Sequence, residues 1–256
     1  MADQKLFLVK VPFIASELAA MARRRKFRVD ELDEGYVIHS LLKELWQDKA
    51  PTPFTVRNRG RYIEAWGYAP ADKSILMEHA RKLDRHYAVD AIAGGIEAID
   101  SKPMPILEKR MRVGFLLRTC PVVRLSKEKK GNQAGKDIEV DAFLARCFSV
   151  GKDVEVSREE VYTDWLKKRL ADPGKTGASV LRVAVVGMHR ERMYRRTQGV
   201  ERKAQRLERP DVHFEGDLLI EDGEQFLVFL GHGVGRHRAF GYGALMVVPP
   251  GINYFP

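Results

Sequence analysis

A glycine-rich segment near the end of the chain has the residue types of a loop that binds phosphate. Residues 231–243 read GHGVGRHRAFGYG, with five glycines. Glycine has no Cβ and tolerates positive φ, so successive backbone N–H groups of such a loop can surround an anion. Arg236 and Arg238 would add positive charge, and Phe240 or Tyr242 could stack on a base or pack against the protein. The alternative is a tight loop with a structural role alone.

Two familiar kinds of phosphate-binding loop do not fit this segment. A P-loop ends in Gly-Lys-Ser/Thr, and that ending is missing here. A dinucleotide-binding loop opens a helix, whereas this segment precedes ALMVVPP, which has the composition of a strand. The segment therefore predicts phosphate binding of neither of these two kinds.

A tyrosine and a histidine in the first third of the chain could supply acid–base chemistry. In DEGYVIHSLL, Tyr36 and His39 are three residues apart, which places them on nearly the same face of a helix. A histidine titrates near neutral pH and can act as an acid or a base, and a tyrosine hydroxyl can donate to developing negative charge. A lone histidine is more often a satisfied residue on a helix surface, so this pair needs support from the rest of the chain.

The charge of the chain favours a polyanionic partner. There are 44 lysines and arginines against 35 aspartates and glutamates, which gives a net charge of +9. Residues 189–209 carry seven arginines and one lysine against three glutamates, and RRRKFR at 23–28 forms a second cluster. The longer stretch could instead be a solvated face, but its density of arginine favours nucleic acid.

Several other classes of protein are excluded by composition. The chain has no apolar run of about 18 residues, and its first residues lack the features of a signal peptide. Cys120 and Cys147 have no metal-type spacing, so we expect two reduced thiols in a cytoplasmic protein. The sequence also lacks a His/Cys/Asp group with metal-ligand spacing, so we expect no metal and no cofactor.

The first half of the chain alternates between strand-like and helix-like patterns. Apolar residues at three- and four-residue spacing after Asp33 predict an amphipathic helix that Asp33 caps. The other predicted elements are a strand at 5–13, a hairpin at 53–69 with its turn near 58–60, a helix at 72–84 and a strand at 110–124. This β-α-β-β-α-β order is that of a ferredoxin-like unit.

The second half repeats this order more loosely. Ser157 and Glu160 form a capping box that predicts a helix over 157–171. Strands at 178–189 and 213–221, a short helix at 222–233 and a final strand follow. We therefore predict an α+β fold of tandem ferredoxin-like, RRM-like domains with a C-terminal glycine-rich loop. Residues 1–125 would carry the Tyr36–His39 helix, and residues 126–256 would carry the basic hairpin and the loop.

The motifs together resemble one family. GVGRHRAFGYGAL, just before the final strand of a tandem ferredoxin-like chain, is similar to the glycine-rich loop of the CRISPR repeat-RNA endoribonucleases of the type I-E branch, the CasE subunit of Cascade. The Tyr-x-x-His pair, the Trp165-Leu166 pair and the basic hairpin before the last β-α-β unit resemble that branch too. The resemblance covers essentially the whole chain, but residues 14–34 are longer than the family pattern.

The resemblance implies metal-independent cleavage of precursor CRISPR RNA. In that family a ribose 2′-OH attacks the adjacent phosphodiester, which leaves a 5′-OH and a 2′,3′-cyclic or 3′-phosphate. His39 would be the general acid or base and Tyr36 its partner. A lysine or arginine would hold the scissile phosphate, with Lys203, Arg202 and Arg196 as candidates. The enzyme would bind the repeat stem-loop, remain on its product and join other Cascade subunits.

Two groups of residues are expected to bind the RNA. If residues 189–209 form a hairpin arm with its turn near Gln198–Gly199, its arginines can enter the deep groove of an RNA stem. The glycine-rich loop would hold phosphates. The predicted RNA-binding residues are Arg190, Arg192, Arg195, Arg196, Arg202, Lys203, Arg206, Gly233, Gly235, Arg236, His237, Arg238, Gly241 and Gly243.

Two other functions are compatible with the sequence. A non-catalytic RNA-binding scaffold of a CRISPR effector complex would share the fold and bind RNA without cutting it. A ribosome- or tRNA-associated protein would share only the positive charge. The scaffold predicts tight RNA binding without cleavage and no effect of substituting His39. The ribosome- or tRNA-associated protein predicts that the RNA that copurifies with it is not CRISPR repeat.

Overall fold

In the part of the chain that the structure describes, two four-stranded antiparallel sheets and one pair of short strands form the framework. A computed structural model of the chain describes residues 5–24, 33–83, 87–125, 138–150, 154–196 and 204–251, with the backbone alone at 193–196 and 204–207. Each sheet packs its helices around an apolar core of its own. None of the described helices combines the length and apolar character needed to cross a membrane.

The first unit has the ferredoxin-like topology. Its sheet has the order β2-β3-β1-β4, so the first strand lies between the third and the fourth. The elements are β1 (Phe7–Ile14), α1 (Ala15–Arg24), α2 (Glu34–Trp46), β2 (Phe54–Asn58), β3 (Tyr62–Ala69), α3 (Lys73–Arg81), α4 (Tyr87–Asp90) and β4 (Asp100–Pro103).

The second unit repeats that topology with longer strands. Its sheet has the order β10-β5-β9-β8, again with the first strand between the third and the fourth, and β6 pairs with β7 beside it. The elements are β5 (Arg112–Thr119), β6 (Val122–Leu125), β7 (Ile138–Asp141), α5 (Ala142–Val150), α6 (Arg158–Leu170), α7 (Pro173–Thr176), β8 (Ala178–Arg196), β9 (Ala204–Ile220), α8 (Gly223–His232) and β10 (Leu245–Val248).

The strand predicted at 110–124 does not complete the first sheet, and that assignment is wrong. The segment divides at Cys120–Pro121 into β5 and β6, and β5 pairs with β9 and β10 of the second sheet. The fourth strand of the first sheet is β4, which has the sequence DSKP and pairs with β1. Sheet membership therefore favours a boundary between β4 and β5, ahead of residue 125.

The long segment between β1 and α2 contributes to the first core. Its residues 15–24 form α1, in which Leu18, Met21 and Ala22 are buried against the other apolar residues of the unit. The rest of RRRKFR, from residue 25 onwards, lies outside the described residues. The described part of this insertion therefore packs as an ordinary amphipathic helix.

The basic segment forms a projecting arm, as predicted. β9 pairs with β5 only through Val212–Leu219, but it stays paired with β8 as far as Ala204 opposite Arg196. The ends of β8 and β9 thus leave the sheet as a two-stranded antiparallel ribbon. The turn predicted near Gln198–Gly199 lies outside the described residues.

Candidate functional site

The glycine-rich loop approaches the protein itself. It runs from the end of α8 to β10, and φ is positive at Gly233, Gly235, Gly241 and Gly243. A Cβ on Gly233 would lie 2.7 Å from the Pro53 side chain of the first unit, and one on Gly235 would lie 3.0 Å from the Trp165 ring of the second. Glycine is required because the backbone is wedged between the two units in conformations that other residues rarely adopt.

The start of α2 rests directly on this loop. A Cβ on Gly35 would lie 2.2 Å from the carbonyl oxygen of Phe240. The Phe240 ring stacks on the ring of Tyr36, with 5.4 Å between the centroids. Asp33 caps the helix, as predicted, because its Oδ1 accepts from the backbone N–H of Tyr36 at 2.9 Å. The loop therefore fixes where α2 begins and where Tyr36 lies.

Two basic residues of the loop contact the same carboxylate, that of Glu139. His237 Nε2 lies 2.6 Å from Glu139 Oε1, and Arg236 Nε lies 2.7 Å from Glu139 Oε2. Arg209 adds a third contact, at 3.3 Å. Burial raises the pKa of Glu139, but the hydrogen bond and charge of His237 and the two arginines outweigh it and hold the pKa below its ordinary value. Glu139, on β7, thus anchors the loop.

Replacing Glu139 by alanine is expected to destabilise the protein by about 2 kcal/mol. The largely buried His237 would lose its carboxylate partner, and Arg209 would keep only its hydrogen bond to the carbonyl oxygen of residue 139. Urea unfolding at neutral pH measures this. The difference between the two proteins should vanish as pH falls through the lowered pKa of Glu139. Glu78→Ala is the control. Glu78 pairs with Lys82 on the surface, so its removal should hardly change the free energy of unfolding. Equal stability of all three proteins would contradict the anchoring role.

His39 follows Tyr36 one turn later, and both side chains are half-buried. The His39 ring stacks on Phe54 with 6.4 Å between the centroids. Its Nδ1 is buried and has no hydrogen-bond partner in the part of the chain that the structure describes. Burial, and then the charge of Lys43, lower the pKa of His39. The ring is therefore mainly neutral at neutral pH and able to accept a proton.

A small pocket lies beside the start of α2. It has a volume of about 290 Å³ and is lined by Asp33, Glu34, Gly35, Val56, Arg118, Glu191, Phe240 and Tyr242. Burial raises the pKa of Asp33 to about 7, although the Tyr36 N–H and Arg118 oppose this. Arg118 is held by Asp211, with nitrogen–oxygen distances of 2.6 to 3.1 Å, and its guanidinium lies 4.7 Å from the centre of the Tyr242 ring.

Sequence reasoning missed Arg118 and gave Asp33 only the role of a helix cap. Arg118 lies on the face of β5 opposite to the core residues Phe115 and Leu117. The alternation of side chains along β5 could therefore have shown that Arg118 points away from the core. Its arrival beside α2 depends on how the two units pack. That packing is not encoded in any local pattern.

The predicted RNA-binding residues are distributed between the arm and the loop. In the arm, Arg190 and Arg192 are exposed, and Arg190 Nη1 lies 3.4 Å from Glu208. Arg195, Arg196 and Arg206 lie in the paired strands of the ribbon, whereas Arg202 and Lys203 lie outside the described residues. In the loop, Arg238 donates to the carbonyl oxygen of His232. Among the described residues, no group of three or more His, Cys, Asp or Glu side chains could hold a metal ion.

The fold and the loop define a class: a tandem ferredoxin-like protein whose glycine-rich loop lies between its two units. A family model described as CRISPR associated protein matches residues 7–249. The chain therefore belongs to the CRISPR associated protein family, which agrees with the resemblance drawn from the motifs. A search of curated proteins finds no match.

Several solved structures share the fold. The structure of CRISPR endoribonuclease Cse3 bound to 19 nt RNA has a TM-score of 0.57 and 21% identity, and the match covers 96% of this chain and 100% of that one. Cas6e from Escherichia coli str. K-12 has a TM-score of 0.52 and 18% identity, with 95% and 99% covered. A chain of a CRISPR RNA-guided surveillance complex in its pre-nicking state has a TM-score of 0.52 and 17% identity, and the match covers 96% of this chain and 99% of that one. The prediction of tandem ferredoxin-like domains is confirmed.

Proposed function

We propose that this protein is a metal-independent endoribonuclease that binds CRISPR repeat stem-loops and cuts precursor CRISPR RNA by 2′-OH attack. The observation that carries the proposal is the placement of the Tyr36–His39 helix against the glycine-rich loop, in a chain of the CRISPR associated family. The endoribonuclease Cse3, whose fold this chain shares, was solved with RNA bound. A surveillance complex among the similar structures supports the further proposal that the protein remains on its product within such an assembly.

The proposed reaction needs groups that move protons and hold charge. The 2′ oxygen loses its proton and bonds to phosphorus, the bond from phosphorus to the 5′ oxygen breaks, and the 5′ oxygen gains a proton. Burial lowers the pKa of His39, so the ring is mainly neutral in the RNA-free protein and suited to accept the proton of the 2′-OH. The Tyr36 hydroxyl would orient the ribose or donate to the charged intermediate. The products carry a 5′-OH and a 2′,3′-cyclic phosphate, or a 3′-phosphate after hydrolysis.

The arm and the loop would hold the RNA in different ways. The exposed arginines of the ribbon would contact phosphates on both strands of the stem. In the loop, Arg236 is the better placed for a phosphate, since 42% of its side chain is exposed, whereas His237 is 11% exposed. We propose that His237 keeps Glu139 in place while Arg236 and Arg238 face the RNA.

A repeat RNA with a deoxyribose before the cut tests the mechanism. That change removes the nucleophile and leaves the phosphate contacts, so we expect no cleavage and near-normal affinity. Cleavage of the natural repeat is followed in EDTA. A cut in the deoxy RNA would overturn attack by the 2′-OH, and a requirement for added Mg²⁺ would overturn metal independence. Tight binding without any cut would favour a scaffold.

Substitution of Arg192 by alanine should weaken RNA binding in a salt-dependent way. Arg192 is exposed on the ribbon, and loss of one phosphate contact should reduce the slope of log K against log salt concentration by about 0.7–0.9. Filter binding over a range of salt concentrations measures this. Arg146→Ala, in α5, removes another exposed arginine and should leave the slope unchanged. Equal slopes in both variants would show that Arg192 contacts no phosphate.

A further inference from the structure

One face of the first sheet is covered at one end and accessible at the other. Ile63 and Ala65 of β3 point into the core, so Tyr62, Glu64, Trp66 and Tyr68 lie on the opposite face. At one end this face is covered, because Tyr68 is buried and its hydroxyl donates to the carbonyl oxygen of Leu245 at 2.8 Å. At the other end Trp66 is half-buried and Tyr62 is 50% exposed.

Two cations lie close to the half-buried ring of Trp66. Lys10 lies opposite Trp66 across the β1–β3 pair, and its Nζ is 5.5 Å from the centre of the ring. The Arg57 guanidinium, from β2, is 5.4 Å from the same centre. Trp66 Nε1 donates to Glu64 at 3.0 Å, which fixes the orientation of the indole. An aromatic ring with two cations beside it on a partly open sheet face is suited to a base and its phosphate.

A groove continues from this face towards the second unit. It has a volume of about 480 Å³ and lies between β2 on one side and β5 and β9 on the other. Arg57 and Arg59 line its first wall, and Arg118 and His213 line its second. Arg57 therefore belongs to both features, since it lies over Trp66 and also faces the groove. An extended polyanion could follow these residues from one feature to the other.

We propose that Trp66 and the inter-sheet groove form a second RNA-binding surface, which takes single-stranded RNA adjoining the stem-loop. An unpaired base would stack on Trp66, and the phosphates on either side would meet Lys10, Arg57 and Arg59. A duplex would not fit this chemistry, because paired bases are stacked on one another and present no free face. The inference rests on the proposed function for the identity of the polyanion, but it uses none of the residues assigned to cleavage.

The test compares two RNAs and four proteins. One RNA is the repeat stem-loop alone, and the other carries the repeat's single-stranded flanks and a deoxyribose before the cut. Dissociation constants are measured by fluorescence anisotropy for wild type, Trp66→Ala, Trp66→Phe and Phe148→Ala. Phe148 is the control because it is a 75% exposed aromatic residue of α5. We expect wild type to bind the flanked RNA about tenfold more tightly, which is within the range for one stacked base.

Trp66→Ala should abolish that tenfold difference, whereas Trp66→Phe should keep most of it and Phe148→Ala all of it. Affinity for the stem-loop alone should be the same in all four, which also shows that each variant is folded. The inference would be overturned if wild type bound both RNAs with equal affinity, or if Trp66→Ala and Phe148→Ala had the same affinity for the flanked RNA. Cleavage of the stem-loop by the same protein would leave the proposed function standing. The opposite result is also informative. If binding of the flanked RNA depends on Trp66 but the protein cuts neither RNA when all its sugars are ribose, the second binding surface is supported and the proposed nuclease activity is rejected.

Discussion

Replacing His39 by alanine is expected to slow RNA cleavage by about 10²–10⁴-fold, the range typical of a lost general acid or base. The affinity for RNA should change little, because the ring is half-buried against Phe54 and its lowered pKa keeps it mainly uncharged at neutral pH. Single-turnover cleavage of a labelled repeat stem-loop in EDTA gives the rate, and anisotropy with the deoxy RNA gives the affinity. The wild-type rate should also fall at acid pH, since protonation of His39 removes the base.

His79→Ala is the matched control for this experiment. His79 is a half-buried histidine of the first unit, but it belongs to α3. Its removal should leave both the rate and the affinity unchanged. Cleavage that survives in a His39→Ala, Tyr36→Phe double variant would show that the site lies elsewhere. Tyr36→Phe is chosen because it keeps the ring that stacks on Phe240 and removes only the hydroxyl.

Replacing Gly35 by alanine is expected to destabilise the protein by about 3 kcal/mol and to abolish most cleavage. The new Cβ would lie 2.2 Å from the carbonyl oxygen of Phe240 and 2.5 Å from its carbon, and both are backbone atoms that cannot rotate away. Either α2 or the glycine-rich loop must therefore move, and Tyr36 and His39 would move with α2. Urea unfolding and single-turnover cleavage measure the two effects.

Gly231→Ala provides the comparison. It also adds a methyl group within a helix, in α8, but the nearest atom to its Cβ is Leu6 Cδ1 at an ordinary 3.7 Å. Alanine has the higher helix propensity, so this variant should be as stable as wild type or more stable by up to about 1 kcal/mol. If Gly35→Ala had the same free energy of unfolding and the same cleavage rate as Gly231→Ala, the loop would not position α2.

Much of the architecture could be predicted because local patterns agree with it. The period of the apolar residues located α2 and α3, Asp33 and Ser157 marked helix starts, and both caps are present. The assignment of 110–124 failed for a physical reason. β4 is only four residues long and ends in proline, so it has too little alternation to compete with the eight residues of β5. The prediction of a strand in this segment is therefore right, but its assignment to the first sheet is wrong.

The site was less predictable than the fold because its contacts join distant parts of the chain. His237 and Glu139 are 98 residues apart, and Arg118 and Asp211 are 93 apart. The sequence identified the glycine-rich loop and the basic residues within it, but not the contacts of Arg236 and His237 with Glu139. Glu139 lies on a short strand pair outside either ferredoxin-like sheet, where no periodic pattern drew attention to it. Its role depends on contacts with Arg209 and with the glycine-rich loop, which are distant in the sequence.

The ribbon that leaves the second sheet has a consequence for the protein before any RNA arrives. Beyond Val212, towards the turn, β8 and β9 pair only with each other among the described strands. Each strand of the ribbon therefore presents an edge of N–H and C=O groups that no other described strand pairs with. Such edges are templates for pairing with a second molecule. Arginines such as Arg190 and Arg192 make two ribbons repel each other, so the charges that suit the arm to a nucleic acid also oppose self-association. That protection is electrostatic, and concentrated salt should weaken it.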